Sequence, residues 1–135
     1  MRSKVITFGT FDLFHIGHLN MLNRCKENGS ELIVGVTSDA LHFANTSKYP
    51  IINEIDRMQI IKSLKCVDKV FLEERIELKR EYIQKYSAKI FIIGDDYQTK
   101  FDDLNDICNV YYLPRTPNIS TTKLKAYINY SISTT

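Results

Sequence analysis

Residues 9–20 read GTFDLFHIGHLN, and two histidines, His15 and His18, stand three apart around Gly17. Imidazoles so placed serve metal binding, proton relay or phosphate contact, and they also occur as packing groups. A metal centre needs more than two ligands. The chain has one other histidine, His42, and neither Asp12 nor Asp39 completes a recognisable ligand spacing. Two adjacent packing histidines would each require a buried partner. Phosphate contact fits the surroundings best. Gly9 and Gly17 permit close backbone approach, and a helix starting near Gly17 aims unpaired N–H groups and a positive dipole end at the loop. Imidazole N–H groups there add further donors.

A second segment, RTPNISTT (115–122), raises the same chemistry from the other end of the chain. Arg115 supplies a fork of donors suited to phosphate, and Ser120, Thr121 and Thr122 open a helix with hydroxyls and unpaired N–H groups. Alone, the segment reads as a capping sequence after a Pro117–Asn118 turn. Beside HIGH it reads as a second phosphate site. Two such sites suit a triphosphate, or a mononucleotide with a phosphorylated substrate.

The elements around these segments alternate. Lys4–Phe8 is a short β-type run ending at Gly9. Gly17–Asn28 carries apolar residues at helical spacing and stops at Gly29. Glu31–Thr37 is a nearly unbroken apolar run, the mark of a strand buried on both faces. A polar stretch follows, and then a helix capped by Asn53 with an apolar stripe at 55, 58, 61 and 64. Strands are predicted at 70–72, 89–93 and 110–113, with helices around 77–87 and near 102–107 and a closing helix capped by Ser120. This pattern predicts one α/β domain over residues 1–135, a Rossmann-like three-layer sandwich around a five-stranded parallel sheet. Ligands of such sheets bind outside the carboxyl ends of the strands. HIGH follows strand one, TSD strand two, GDD strand four and RTPNISTT strand five, so all four fall at one edge.

Composition narrows the partners. The net charge of +2 gives no nucleic-acid or membrane surface, and no apolar stretch approaches the roughly 18 residues of a membrane span. MRSKVITF runs straight into a strand, which argues against secretion. Cys25, Cys66 and Cys108 are widely spaced and odd in number, as expected of reduced thiols in a cytoplasmic protein.

GTFDLFHIGH matches the HxGH signature of the nucleotidylyltransferase superfamily, and RTPNISTT resembles its closing motif, usually RTxGISTT. TSD (37–39), EIDRMQII (54–61), VD (67–68), IIGDDY (92–97), KF (100–101) and YLPRT (112–116) extend the match. From first strand to last helix the chain resembles the glycerol-3-phosphate cytidylyltransferase family. The resemblance implies transfer of a cytidylyl group from CTP, with Mg²⁺, to a small phosphorylated alcohol, giving a CDP-alcohol for surface-polymer synthesis and pyrophosphate. It implies that His15, His18, Lys48 and Arg115 are catalytic. Gly9, Thr10, Phe11, Gly17, Asp96, Thr116, Ile119, Ser120, Thr121 and Thr122 would complete the nucleotide site, with Asp96 near the cytosine amine. Arg57, Lys65 and Lys79 would serve the acceptor side, with Asp12 as an orienting partner there. No protein-bound metal site is implied, and a homodimer is.

Three positions depart from the family pattern. Asn45, Thr46 and Ser47 stand where the family loop commonly offers a further lysine, and the loop is one residue longer. Lys65 replaces an arginine, losing its planar fork. Pro117–Asn118 replaces the x-Gly step. These changes leave cytidylyl transfer intact and open the choice of acceptor among glycerol 3-phosphate, another phosphorylated polyol, phosphoethanolamine and phosphocholine. Adenylyl transfer and a non-catalytic nucleotide-binding module are the competing readings.

Overall fold

The computed structural model describes residues 3–114 and 120–134, without the side chains of residues 130–134. Five strands, β1 (Lys4–Gly9), β2 (Glu31–Thr37), β3 (Lys69–Glu73), β4 (Ile90–Gly94) and β5 (Asn109–Leu113), form one parallel sheet in the order β3-β2-β1-β4-β5. The period-two geometry of a strand sends alternate side chains to opposite faces. Val5, Leu32, Val34 and Val36 therefore enter one apolar layer, while Ile6, Phe8 and Ile33 enter the other. Both layers exclude water, which is why β2 reads as a continuous apolar run.

Helices α1 (Ile16–Glu27) and α3 (Glu54–Lys62) close the first layer through Leu22, Cys25 and Ile61. Helix α4 (Lys79–Lys85) and a 3₁₀ turn over Asp102–Asp106 close the second through Ile83 and Leu104. The result is the α/β Rossmann-like three-layer fold expected from the alternation. Strand order reverses between β1 and β4, so the crevice beyond their carboxyl ends is the address where such sheets take ligands. All three cysteines are buried free thiols. Among the described residues no helix is long and apolar enough to cross a membrane.

Three local features differ from the sequence reading. The polar stretch after β2 contains a further helix, α2 (Asp39–Thr46), whose N-cap Ser38 accepts from Leu41 N at 3.0 Å. Helix α4 starts later than predicted, after a 3₁₀ turn over Ile76–Leu78. The stripe on α3 is also rotated. Ile55 is 66% exposed, whereas Arg57 is 1% exposed and shares the inward face with Ile61. An arginine thus occupies a core position on an apparently amphipathic helix. The closing helix α5 (Thr121–Thr134) follows Ser120 as expected, with the Ser120 hydroxyl accepting from Lys123 N at 3.1 Å.

Candidate active site

The loop from β1 to α1 is held in a costly shape. Phe11 and Leu13 adopt φ values of 56° and 49°, a left-handed conformation that bulky residues rarely enter. A Cβ at Gly9 would lie 2.9 Å from the Phe11 ring, so the glycine is what lets that ring fold back. Asp12, 5% exposed, fixes the arrangement. Its Oδ1 accepts from Leu13 N at 3.1 Å and Ile52 N at 2.9 Å, and its Oδ2 accepts from Ile51 N at 2.8 Å.

That loop delivers the two histidines to the start of α1, and their roles there are sharper than the spacing revealed. His15 is the N-cap, its ring accepting from Gly17 N at 3.0 Å. His18 reaches back, its Nδ1 accepting from His15 N at 3.2 Å, so the two imidazoles form a reciprocal capping box. The cap takes up the Gly17 and His15 amides, so this helix end offers fewer unpaired N–H groups than the sequence suggests. The consequence is chemical. Because each Nδ1 accepts, the neutral ring carries its proton on Nε2, and the pair presents two outward N–H donors.

The rings stack with centroids 3.9 Å apart, and His18 is flanked by Phe14 and Phe11. Burial lowers both imidazole pKa values. For His18 burial and the neighbouring His15 outweigh the opposing Asp12 charge and bring the value down to about 4. Both rings are therefore neutral near pH 7. The unfolded chain binds more protons than the native one between about pH 6.5 and 4, so this group makes stability fall as pH drops through that window. Thermal melts across pH 4–7 should show a shallower acid slope in a His18→Gln variant than in the wild type. Equal slopes would show that His18 titrates as an ordinary histidine.

Both imidazoles line a cavity of about 290 Å³, near the lower end of small-molecule sites. Phe11 and Gly17 join them from the same loop, and Ser120, Thr121 and Thr122 from the start of α5. Thr121 ties the two segments together, its Oγ1 donating to Asp12 O at 2.8 Å. Sequence reasoning missed the opposite wall, where Met21 and Arg24 of α1 face Gly94, Leu113 and Pro114. Arg24 Nη1 donates to Pro114 O at 3.2 Å. A Cβ at Gly94 would meet only open space, so any side chain there would occupy the cavity. The sequence signal for this wall was the glycine of GDD at a strand end.

The remaining predicted residues sit around this cavity or apart from it. Thr10 lies beside it, with Oγ1 3.1 Å from His42 Nδ1. Lys48 is exposed on the turn after α2, and Asp96 is exposed beyond β4. Arg57 faces inward. Nε donates to Ile52 O, Nη1 to Thr10 O and Thr37 O, and Nη2 to Asp39 Oδ1, all at 2.6–2.8 Å. Asp12 and Arg57 therefore spend their polar atoms on the protein itself, tying the site loop to its neighbours instead of reaching for an acceptor. Lys79 is also buried, on the other face of the sheet, with Nζ paired to Glu73 Oε2. Lys65 is not brought to the site. It is exposed in the turn entering β3, at the amino edge of the sheet, opposite HIGH. Arg115, Thr116 and Ile119 lie outside the described residues.

The class is an α/β Rossmann-like protein whose cavity, at the switch point of its parallel sheet, gathers imidazoles, a hydroxyl-rich helix start and a side-chain-free strand end. Comparison with known proteins carries this further. The sequence model described as cytidylyltransferase-like matches residues 6–127. A glycerol-3-phosphate cytidylyltransferase of Bacillus spizizenii is 45% identical over 122 residues, covering 90% of this chain and 94% of that protein. One from Staphylococcus aureus is 38% identical, covering 90% and 92%. A lipopolysaccharide core biosynthesis protein of Thermoplasma volcanium superposes with a TM-score of 0.72 at 26% identity, covering 86% of this chain and 99% of that one. The chain belongs to the cytidylyltransferase-like family.

Proposed function

We propose that the protein transfers the cytidylyl group of CTP to glycerol 3-phosphate, giving CDP-glycerol and pyrophosphate. The observation that carries this reading is the capping box, which engages both Nδ1 atoms and holds the two imidazoles at a cavity shared with the Ser-Thr-Thr start of α5. Its support for the acceptor is the likeness over nearly the whole length of the named Bacillus and Staphylococcus enzymes.

An acceptor phosphate oxygen attacks the α-phosphorus of CTP. The bond from that phosphorus to the bridging oxygen of the β-phosphate breaks, and pyrophosphate leaves with the electron pair. The acceptor phosphate has a second pKa near 6, so it is already mostly ionised at pH 7 and needs no general base. What the reaction needs is alignment and stabilisation of charge on the crowded α-phosphate. His15 and His18 supply neutral donors held in fixed orientation by the backbone. Lys48 and Arg115 would neutralise the outer phosphates, Thr116, Ile119 and the α5 hydroxyls would complete the cradle, and Asp96 would read the cytosine amine.

Among the described residues no three His, Cys, Asp or Glu side chains cluster as metal ligands, and no carboxylate lines the cavity. Mg²⁺ accordingly enters with the nucleotide, carried on its phosphates. We place the enzyme in the cytoplasm, where CTP and reduced thiols are found, as a homodimer.

Pyrophosphate release from CTP, ATP, GTP and UTP against a panel of phosphorylated alcohols tests the assignment. CTP with glycerol 3-phosphate should be used far better than any other pair, by a protein that light scattering finds larger than 15.7 kDa. Equal turnover of ATP would remove the cytidylyl assignment, and preference for phosphoethanolamine or phosphocholine would move the acceptor.

A further inference from the structure

Two kinds of surface meet in the cavity. His15, His18 and the start of α5 bring polar groups, whereas Met21, Gly94, Leu113 and Pro114 leave the opposite wall apolar. On that apolar wall stands Arg24, the one lysine or arginine among the described lining residues. Gly17, Met21 and Arg24 recur at intervals of four and three, so they form a single stripe along α1. With a helical rise of about 1.5 Å per residue, Arg24 lies about 9 Å farther along the axis than His18.

The helix accounts for the charge of Arg24 but not for its direction. Cations in a last turn complement the helix dipole, and Arg24 and Lys26 both occupy that turn of α1. Lys26 turns to Ser30 O at 3.0 Å and Asp68 Oδ2 at 2.6 Å, neither of which lines the cavity. Arg24 reaches instead to Pro114 O, with Nη1 at 3.2 Å. That bond holds one corner of a planar guanidinium, whose other donors are fixed in the same plane. An apolar wall with one planar donor group complements a nucleobase, which has apolar faces and a polar edge. Gly94 leaves room for it, since a Cβ there would meet only open space.

A nucleotide with its phosphates at the histidines extends its base toward this wall. Cytosine presents two adjacent acceptors, O2 and N3, on one edge. An arginine fork suits such a pair, as it suits O6 and N7 of guanine. Uracil has the same size, but its N3 carries a proton and opposes an N–H donor.

We propose that Arg24 is a specificity-determining residue that donates to the O2 and N3 edge of cytosine and selects CTP over UTP. This rests on the cytidylyl-transfer reading for the placement of the phosphates at His15 and His18.

The test is Arg24→Met, which keeps an aliphatic stem against the wall and removes every donor. With glycerol 3-phosphate as acceptor it should raise KM for CTP about tenfold or more and lower the CTP-over-UTP ratio of kcat/KM by a similar factor. KM for glycerol 3-phosphate should stay within about twofold. Arg24→Lys keeps the charge without the fork. It should lower the ratio by less, and it serves should the methionine variant fold poorly. If Arg24 only clasps Pro114, its loss lowers Tm and slows both nucleotides alike. An unchanged CTP-over-UTP ratio in whichever variant folds overturns the proposal. If the wild type fails to turn over CTP with glycerol 3-phosphate, the functional reading falls separately. Calorimetric titration with CTP and with UTP, each with Mg²⁺, then decides the role of Arg24. Tighter binding of CTP than of UTP in the wild type, lost in the variant, upholds it. A preference kept in the variant, or absent from both proteins, overturns it.

Discussion

Replacing His18 with alanine is expected to lower kcat by about 10²–10³-fold while KM for CTP changes little. Removing one fixed donor from a developing oxyanion costs about 3–4 kcal/mol of transition-state stabilisation in comparable sites. A donor that favours the crowded α-phosphate over the ground state shows its loss in kcat, not in binding. The substitution also removes the acceptor for His15 N, so it should cost about 1 kcal/mol of stability as a lost helix cap. His18→Asn separates the two effects. Its amide oxygen can accept the same backbone N–H, so stability should recover while the rate does not. His15→Ala should behave like His18→Ala, because the reciprocal cap makes each ring the other's support. Metal analysis of the purified wild type completes the experiment. Loss of a tightly bound transition metal on mutation, with rescue on adding it back, would restore the metal reading. Near-normal kcat in both alanine variants would end the phosphate-donor reading.

Why HIGH was legible and the rest of the site less so follows from sequence distance. The strands and α1 show in the sequence because their periods are local, and the two histidines show as a spacing of three, though their capping of α1 does not. Helix α2 did not show, since it buries only Leu41 and depends on Ser38 and its tertiary setting. Asp12 could be read only as an orienting group, because its carboxylate partners, Ile51 and Ile52, lie 39 and 40 residues away. Arg57 was marked only for the acceptor side by the resemblance, although its spacing of four from Ile61 already put both on one helix face. Lys65 matched a family position in sequence, yet the turn before β3 leaves it at the wrong edge of the sheet. Lys79 was marked only by the family resemblance and its partner Glu73 not at all, because a strand end and a helix start meet only after the chain reverses. Motifs read by spacing named the groups that line the cavity. The groups that brace them became visible only in three dimensions.

Arg57→Ala is expected to have the largest effect on stability of any substitution in this bracing layer. The guanidinium is 1% exposed and makes four hydrogen bonds, three to carbonyls of Thr10, Thr37 and Ile52 and one to Asp39. Removing it leaves those carbonyls without donors in the interior and Asp39 without its partner. Breaking a buried charge pair from one side costs about 3–5 kcal/mol, a large share of the 5–15 kcal/mol that holds a typical domain together. The surface pair Arg80–Asp106 offers the contrast, since both partners are well exposed and its loss should be close to neutral. Urea titration should show the Arg57→Ala midpoint falling sharply with an unchanged slope. Arg57→Lys should recover only part of the loss, because an ammonium on a flexible stem cannot present the planar fork that spans the site loop, the end of β2 and α2. Asp39→Asn keeps the carbonyl contacts and should cost about 1 kcal/mol, the difference between a charged and a neutral acceptor. If Arg57→Ala instead stays within about 1 kcal/mol of the wild type, the loop that carries Thr10 to His18 is held by Asp12 and its other contacts, and Arg57 has no bracing role.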